Sequence, residues 1–193
     1  MLIDLSLPID AKKLATEEAY KTFIDLGHAG THFDVVNKSF PLESFKTRGK
    51  VIDISHIRGR EVEVEDLGSI SIEADDFVIF HTGFIDEFGY NTKPYMTRSA
   101  ELSDRMVDYL LERKVRLIGV DAAGVQKFSK HAAVDQRCAD RGVFIVENLN
   151  NVGKLLEHSP NPFVVYTAPV SRTDLTGLPC RVLAEFTEKT RCS

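Results

Sequence analysis

The stretch from Val115 to Glu147 constrains the fold most. An apolar run, Val115–Val120, leads through a helix-like stretch, Ser129–Arg141, to Gly142 and a second apolar run, Val143–Val146. Glycine suits the left-handed residue that ends a helix. A strand, a crossover helix and a second strand this close together require parallel strands and a right-handed connection. The remaining strand candidates are Leu2–Leu5, Val51–Ile54, Phe77–Phe80, Phe163–Thr167 and Val182–Phe186, with Glu61–Glu65 alternating charge and valine as suits an exposed edge or a half-buried strand. Helical spacing predicts helices over Lys12–Asp25 and over Glu101–Lys114, where Leu102, Met106, Val107, Leu110 and Leu111 share a face. The strand–helix unit does not repeat, which excludes a regular Rossmann fold, and 193 residues are too few for a TIM barrel. The chain reads as one mixed α/β domain over residues 1–193.

Charge narrows the partners. Lys plus Arg number 24 against 29 Asp plus Glu, a net charge of -5 with no basic block, so neither nucleic acid nor an anionic membrane is expected as a partner. The N-terminus has the marks of neither a signal peptide nor a membrane helix. Cys138, Cys180 and Cys192 are widely spaced without a C-x-x-C pair, which argues against a disulfide framework and for a cytoplasmic protein. Cys138 is expected to be buried and Cys192 to be a thiol of the tail.

The chemistry concentrates in Gly27-His28-Ala29-Gly30-Thr31-His32-Phe33-Asp34. Neutral imidazole and carboxylate are the usual ligands of a divalent ion such as zinc or manganese. His28 and His32 would share a face of a helix, but Gly30 and β-branched Thr31 favour a loop whose turn brings the rings together. If the chain is extended from His32, His32 and Asp34 point to the same side. A further ligand is needed, and His131 at the head of the third helix and Glu147 at the end of an apolar strand are candidates. His81, between a strand and Thr82-Gly83, is a candidate substrate contact. Asp121 could orient a ligand histidine, and His56 and His158 read as solvated.

His28-x-Gly30-Thr31-His32-x-Asp34 resembles the H-x-G-T-H-x-D signature of the cyclase family of metal-dependent hydrolases, which includes kynurenine formamidases and isatin hydrolases. Ile3–Pro8, Phe80–Phe84, Gly119–Asp121, Val143–Leu149, Ala168–Val170 and Pro179–Val182 resemble further family segments in the same order. The resemblance implies a swivelling β/β/α domain with a mixed central sheet, assembled as a homodimer or homotetramer. It implies one or two divalent ions, zinc or manganese, bound by His28, His32, Asp34 and Glu147, with His131 completing a second position. It also implies hydrolysis of a small amide, lactam or lactone through metal-activated water. The family's catalytic histidine, four residues after the aspartate, is here Lys38, with Val36 in place of a proline. Lys38 could carry the proton after a fall in its pKa, could stabilise an anion, or could mark a fold that binds metal or a small ligand without catalysis.

Overall fold

The computed structural model describes residues 1–10, 12, 18–98, 100–158 and 162–186. The expected strand–helix–strand unit is present. Strands β5 (Leu117–Val120) and β6 (Phe144–Glu147) pair in parallel, Gly119 beside Val146, with the long crossover helix between them at His131–Asp140. β3 (Lys46–Asp53) and β4 (Asp76–His81) extend this parallel run.

The other strands are antiparallel and turn the sheet into a ring. β2 (His32–Asp34) lies between β6 and β8 (Gly177–Glu185), β7 (Phe163–Pro169) pairs with β3, and β7 also pairs with β8. Of the eight strands among the described residues, all but β1 (Leu2–Asp4) close into a mixed barrel, and β1 adds to the edge of β8. A mixed α/β sheet was expected. Its closure was not, because closure depends on β7 reaching both β3 and β8.

Alternation along the strands divides the core. Phe33, Val51, Phe77, Ile79, Leu117, Phe144, Val146, Val165 and Val182 fill the inside of the ring. Ile52, Val78, Phe80, Ile118, Val120 and Ile145 face outward, under the helices. In chain order, α1 is Glu18–Leu26, α2 Phe84–Phe88, α3 Lys93–Thr97, α4 Asp104–Glu112, α5 His131–Asp140 and α6 Gly153–Glu157. Helix α4 buries Met106, Val107, Leu110 and Leu111, and α5 buries Val134 and Cys138, on that outer face. Ser103 starts α4 by accepting a bond from the Met106 amide.

Two expectations need adjustment. Glu61–Glu65 is not a strand. Only Val62 forms a bridge, to Leu102, while Glu63 and Asp66 cap each other reciprocally and wind Val64–Leu67 into a 3-10 turn. The helix expected over Lys12–Asp25 is seen as α1, and residues 13–17 of that stretch lie outside the described residues, as does Cys192. Cys138 is buried as expected. No described helix is long and apolar enough to cross a membrane.

Candidate metal centre

β2 aims the first group of side chains. Phe33 points into the barrel, so His32 and Asp34 emerge together on the outer wall, as the extended reading required. His28 joins them from the preceding loop, where Gly30 turns the chain at a φ of +71°. His28 Nδ1 lies 3.1 Å from His32 Nε2 and 3.1 Å from Asp34 Oδ1, and His32 Nε2 lies 3.3 Å from the same oxygen.

β6 and α5 supply the second group. Glu147 ends β6 directly opposite His32, with Oε2 3.6 Å from His32 Nε2. Its other oxygen, Oε1, lies 3.0 Å from His131 Nε2, and the same nitrogen is 3.3 Å from Asp135 Oδ2. The structure thus brings together His28, His32, Asp34, His131 and Glu147, and adds Asp135, which sequence reasoning missed. The signal for it was present: Asp135 follows His131 by four residues, on the same face of a helix read from the sequence.

These groups face one another without satisfying one another. Both oxygens of Asp34, Asp135 Oδ1 and Glu147 Oε1 are buried with no hydrogen-bond partner among the described residues. Buried carboxylate oxygens normally have partners. Here nitrogen and oxygen lone pairs converge instead, which is the environment of a cation. The outer ring nitrogens are held for that role. His32 Nδ1 lies 2.9 Å from the Gly30 carbonyl and His28 Nε2 lies 2.8 Å from Thr176 Oγ1, so donation there leaves His32 Nε2 and His28 Nδ1 as lone pairs facing the carboxylates. Asn148 braces this loop by donating to the Gly30 carbonyl at 3.0 Å and accepting from the buried Tyr95 hydroxyl at 2.7 Å. The residues fit a divalent cation.

Proton affinities show the same crowding. Burial would lower the His32 pKa, but the charges of Asp34 and Glu147 prevail and raise it to about 9. Contact with Glu147, only partly offset by burial, lifts His131 to about 10. Burial, reinforced by the Asp34 and Glu147 charges, pushes Asp135 up to about 8. Burial acts against Asp34 too, yet the two histidines hold it well below the ordinary carboxylate range. Without a cation, the cluster compensates its negative charge with protons.

The other candidates lie apart. Lys38 is 38% exposed, and its ammonium pairs with Asp140 at 2.7 Å. It lines a groove of about 590 Å³ together with Val36, Phe40, Leu42, Phe45 and Pro169, and no residue of the cluster lines that groove. His81 ends β4 on the same sheet edge as Glu147, but its ring faces Asp53 at 3.1 Å and Asp121 at 3.9 Å. Asp121 orients no ligand histidine: its buried carboxylate accepts from the Thr82 amide and hydroxyl and from the Gly83 amide. His56 and His158 are exposed, as expected.

Comparison with known proteins converges on one family. Residues 3–127, more than half of the chain, match the Cyclase family model, described as "Putative cyclase". None of the curated proteins matches. Among solved structures, a potential metal-dependent hydrolase with cyclase activity superposes with a TM-score of 0.73 at 22% identity, covering 95% of this chain and 96% of that one. A predicted metal-dependent hydrolase from Bacillus stearothermophilus gives 0.71 at 20% identity, covering 95% and 97%. Isatin hydrolase A from Labrenzia aggregata, bound to benzyl benzoate, gives 0.70 at 19% identity, covering 97% and 94%. At these identities the superpositions speak for the fold.

Proposed function

The chain belongs to the cyclase family, and from that premise we propose that it is a metal-dependent hydrolase of a small amide, lactam or lactone, of the arylformamidase or cyclic-amide type. One observation carries this reading. The buried, unpartnered oxygens of Asp34 face the His28 and His32 nitrogens whose other ring nitrogens are already engaged, and the unpartnered Glu147 Oε1 faces His131 Nε2. Zinc or manganese, as one ion or two, fits such ligands. Bound there, the cation supplies Lewis acidity toward a carbonyl and lowers the pKa of water. The chain's own contribution is orientation. The Gly30 carbonyl and Thr176 fix the histidine tautomers, and Asn148 and Tyr95 hold the loop. His28 and His131, 25% and 35% exposed, form the side open to substrate. We include His81 as a substrate contact because it shares the carboxyl edge of β4, β5 and β6 with Glu147.

The test is turnover of a panel of formamides, lactams and lactones by chelator-treated protein, before and after Zn²⁺ or Mn²⁺ is restored. Hydrolysis that requires the metal is expected. Metal binding without turnover of any panel member favours the second reading, a non-catalytic metal or small-ligand binding protein. The Lys38–Asp140 surface pair favours that alternative, because a proton-transfer role for Lys38 would require the pair to open. The exposed Leu42, Phe45 and Val170 support a homodimer or homotetramer, and the free thiols of Cys138 and Cys180 fit a cytoplasmic setting.

A further inference from the structure

Resting on the metal-dependent reading, we propose that Asp135 is a direct ligand of a second cation, and that the two positions prefer different ions. The position formed by His28, His32 and Asp34 offers two nitrogens and a carboxylate and selects Zn²⁺. The position formed by His131, Asp135 and Glu147 offers one nitrogen and two carboxylates and selects a harder ion such as Mn²⁺.

Geometry carries the argument. Ligand atoms about 2.1 Å from a common ion stand roughly 3.0 Å apart at octahedral angles and roughly 3.4 Å apart at tetrahedral angles. His131 Nε2 lies 3.0 Å from Glu147 Oε1 and 3.3 Å from Asp135 Oδ2. The Glu147 side chain is only 5% exposed, and Oε1 has no hydrogen-bond partner among the described residues. Asp135 Oδ1 is buried and equally unpartnered. Helix packing aims the pair, since Val134 and Cys138 anchor α5 in the core while His131 and Asp135 occupy the adjoining strip one turn apart. Glu147 reaches both groups, with Oε1 toward His131 and Oε2 toward His32, so the two cations would share this carboxylate.

The experiment loads chelator-treated full-length chain with Zn²⁺, with Mn²⁺ and with an equimolar mixture. Bound ions per chain are then counted by elemental analysis, and bound Mn²⁺ is followed by electron paramagnetic resonance. The wild-type chain should hold two ions, one of each from the mixture, and a spin-coupled pair from Mn²⁺ alone. Asp135→Asn, which preserves volume, should hold one ion, lose the coupled signal, and bind Mn²⁺ at the second position at least ~100-fold more weakly, at or beyond the upper end for losing a group one layer out. The ion-free melting temperature of this variant should match or exceed that of the wild type, since a crowded carboxylate is gone. Asp135→His should regain two ions with both positions selecting zinc, and it serves as the probe if Asp135→Asn does not fold. Two ions with a coupled Mn²⁺ signal in Asp135→Asn overturn the ligand assignment. Two zinc ions taken from the mixture by the wild type overturn the preference. A wild-type chain that binds no ion overturns the metal-dependent reading itself.

Discussion

His32 and Glu147 stand directly opposite each other in the antiparallel pair of β2 and β6, with Nε2 3.6 Å from Oε2. This register joins the motif loop to α5. A slip of one residue would send His32 and Asp34 into the barrel and bring Phe33 out. It follows that Glu147→Gln should weaken ion binding at both positions. His32→Ala and Asp34→Ala should remove the ion held by the motif. Ion content per chain after desalting decides this, and full occupancy in both alanine variants would contradict the assignment.

Stability of the ion-free chain should fall as pH rises. His32 and His131 have folded pKa values of about 9 and 10 against an ordinary 6.5, so their contribution is complete below about pH 6.5 and is lost as pH rises through those values. Asp135, raised to about 8, acts in the same direction from about pH 4 to 8. Asp34, shifted down, contributes above its ordinary value and loses that contribution only in strong acid. Ion binding must expel the extra protons, so affinity should rise across the same interval. The melting temperature of chelator-treated protein should drop by at least ~4 °C from pH 6.5 to 10, at roughly 2–4 °C per kcal/mol. A flat or rising profile would contradict this.

Asn148 should matter more to the metal than Tyr95 does. Asn148 sits at a φ of +54°, so Asn148→Gly removes its amide without adding backbone strain. With the Gly30 carbonyl released, affinity at the motif position should fall about 10–100-fold. Tyr95→Phe leaves the buried Asn148 Oδ1 without its donor. It should cost about 1–3 kcal/mol of stability, read by urea denaturation, with a smaller change in affinity.

Two glycines allow each position to be disturbed separately. A Cβ on Gly177 would lie 2.8 Å from His28 Nδ1, and one on Gly124 would lie 2.7 Å from His131 Cε1. Gly177→Ala should weaken the Zn²⁺-selective position alone, and Gly124→Ala the other alone. Calorimetric titration with each metal separates them, and equal effects of both variants on one position would contradict the two-position layout.

Lys38→Ala removes an exposed pair with Asp140 and should change stability by no more than about 1 kcal/mol, leaving ion content unchanged. Turnover equal to wild type in both Lys38→Ala and Lys38→His would take Lys38 out of the mechanism.

The sequence made some of this legible and hid the rest, for physical reasons. The β5–α5–β6 unit and helix α4 could be read because their apolar spacing is local and strong. His28, His32 and Asp34 could be read because they are neighbours in the chain. Glu61–Glu65 misled because alternating charge and valine resembles a strand, whereas the Glu63–Asp66 cap decides the local conformation. Asp135 has no motif around it, and its spacing of four residues from His131 on one helix is its only mark. Barrel closure had no local mark: β7 meets β3 and β8 through pairings that no short window contains.

The position of β2 has a consequence for biosynthesis. This short strand is flanked by β6 on one side and by β8 on the other, and Thr176, which engages His28, lies just before β8. A nascent chain therefore carries every proposed ligand well before it can assemble them. An ion held by the motif would therefore report that β2 has found both β6 and β8, because only that pairing brings His28, His32 and Asp34 together with Glu147 and Thr176.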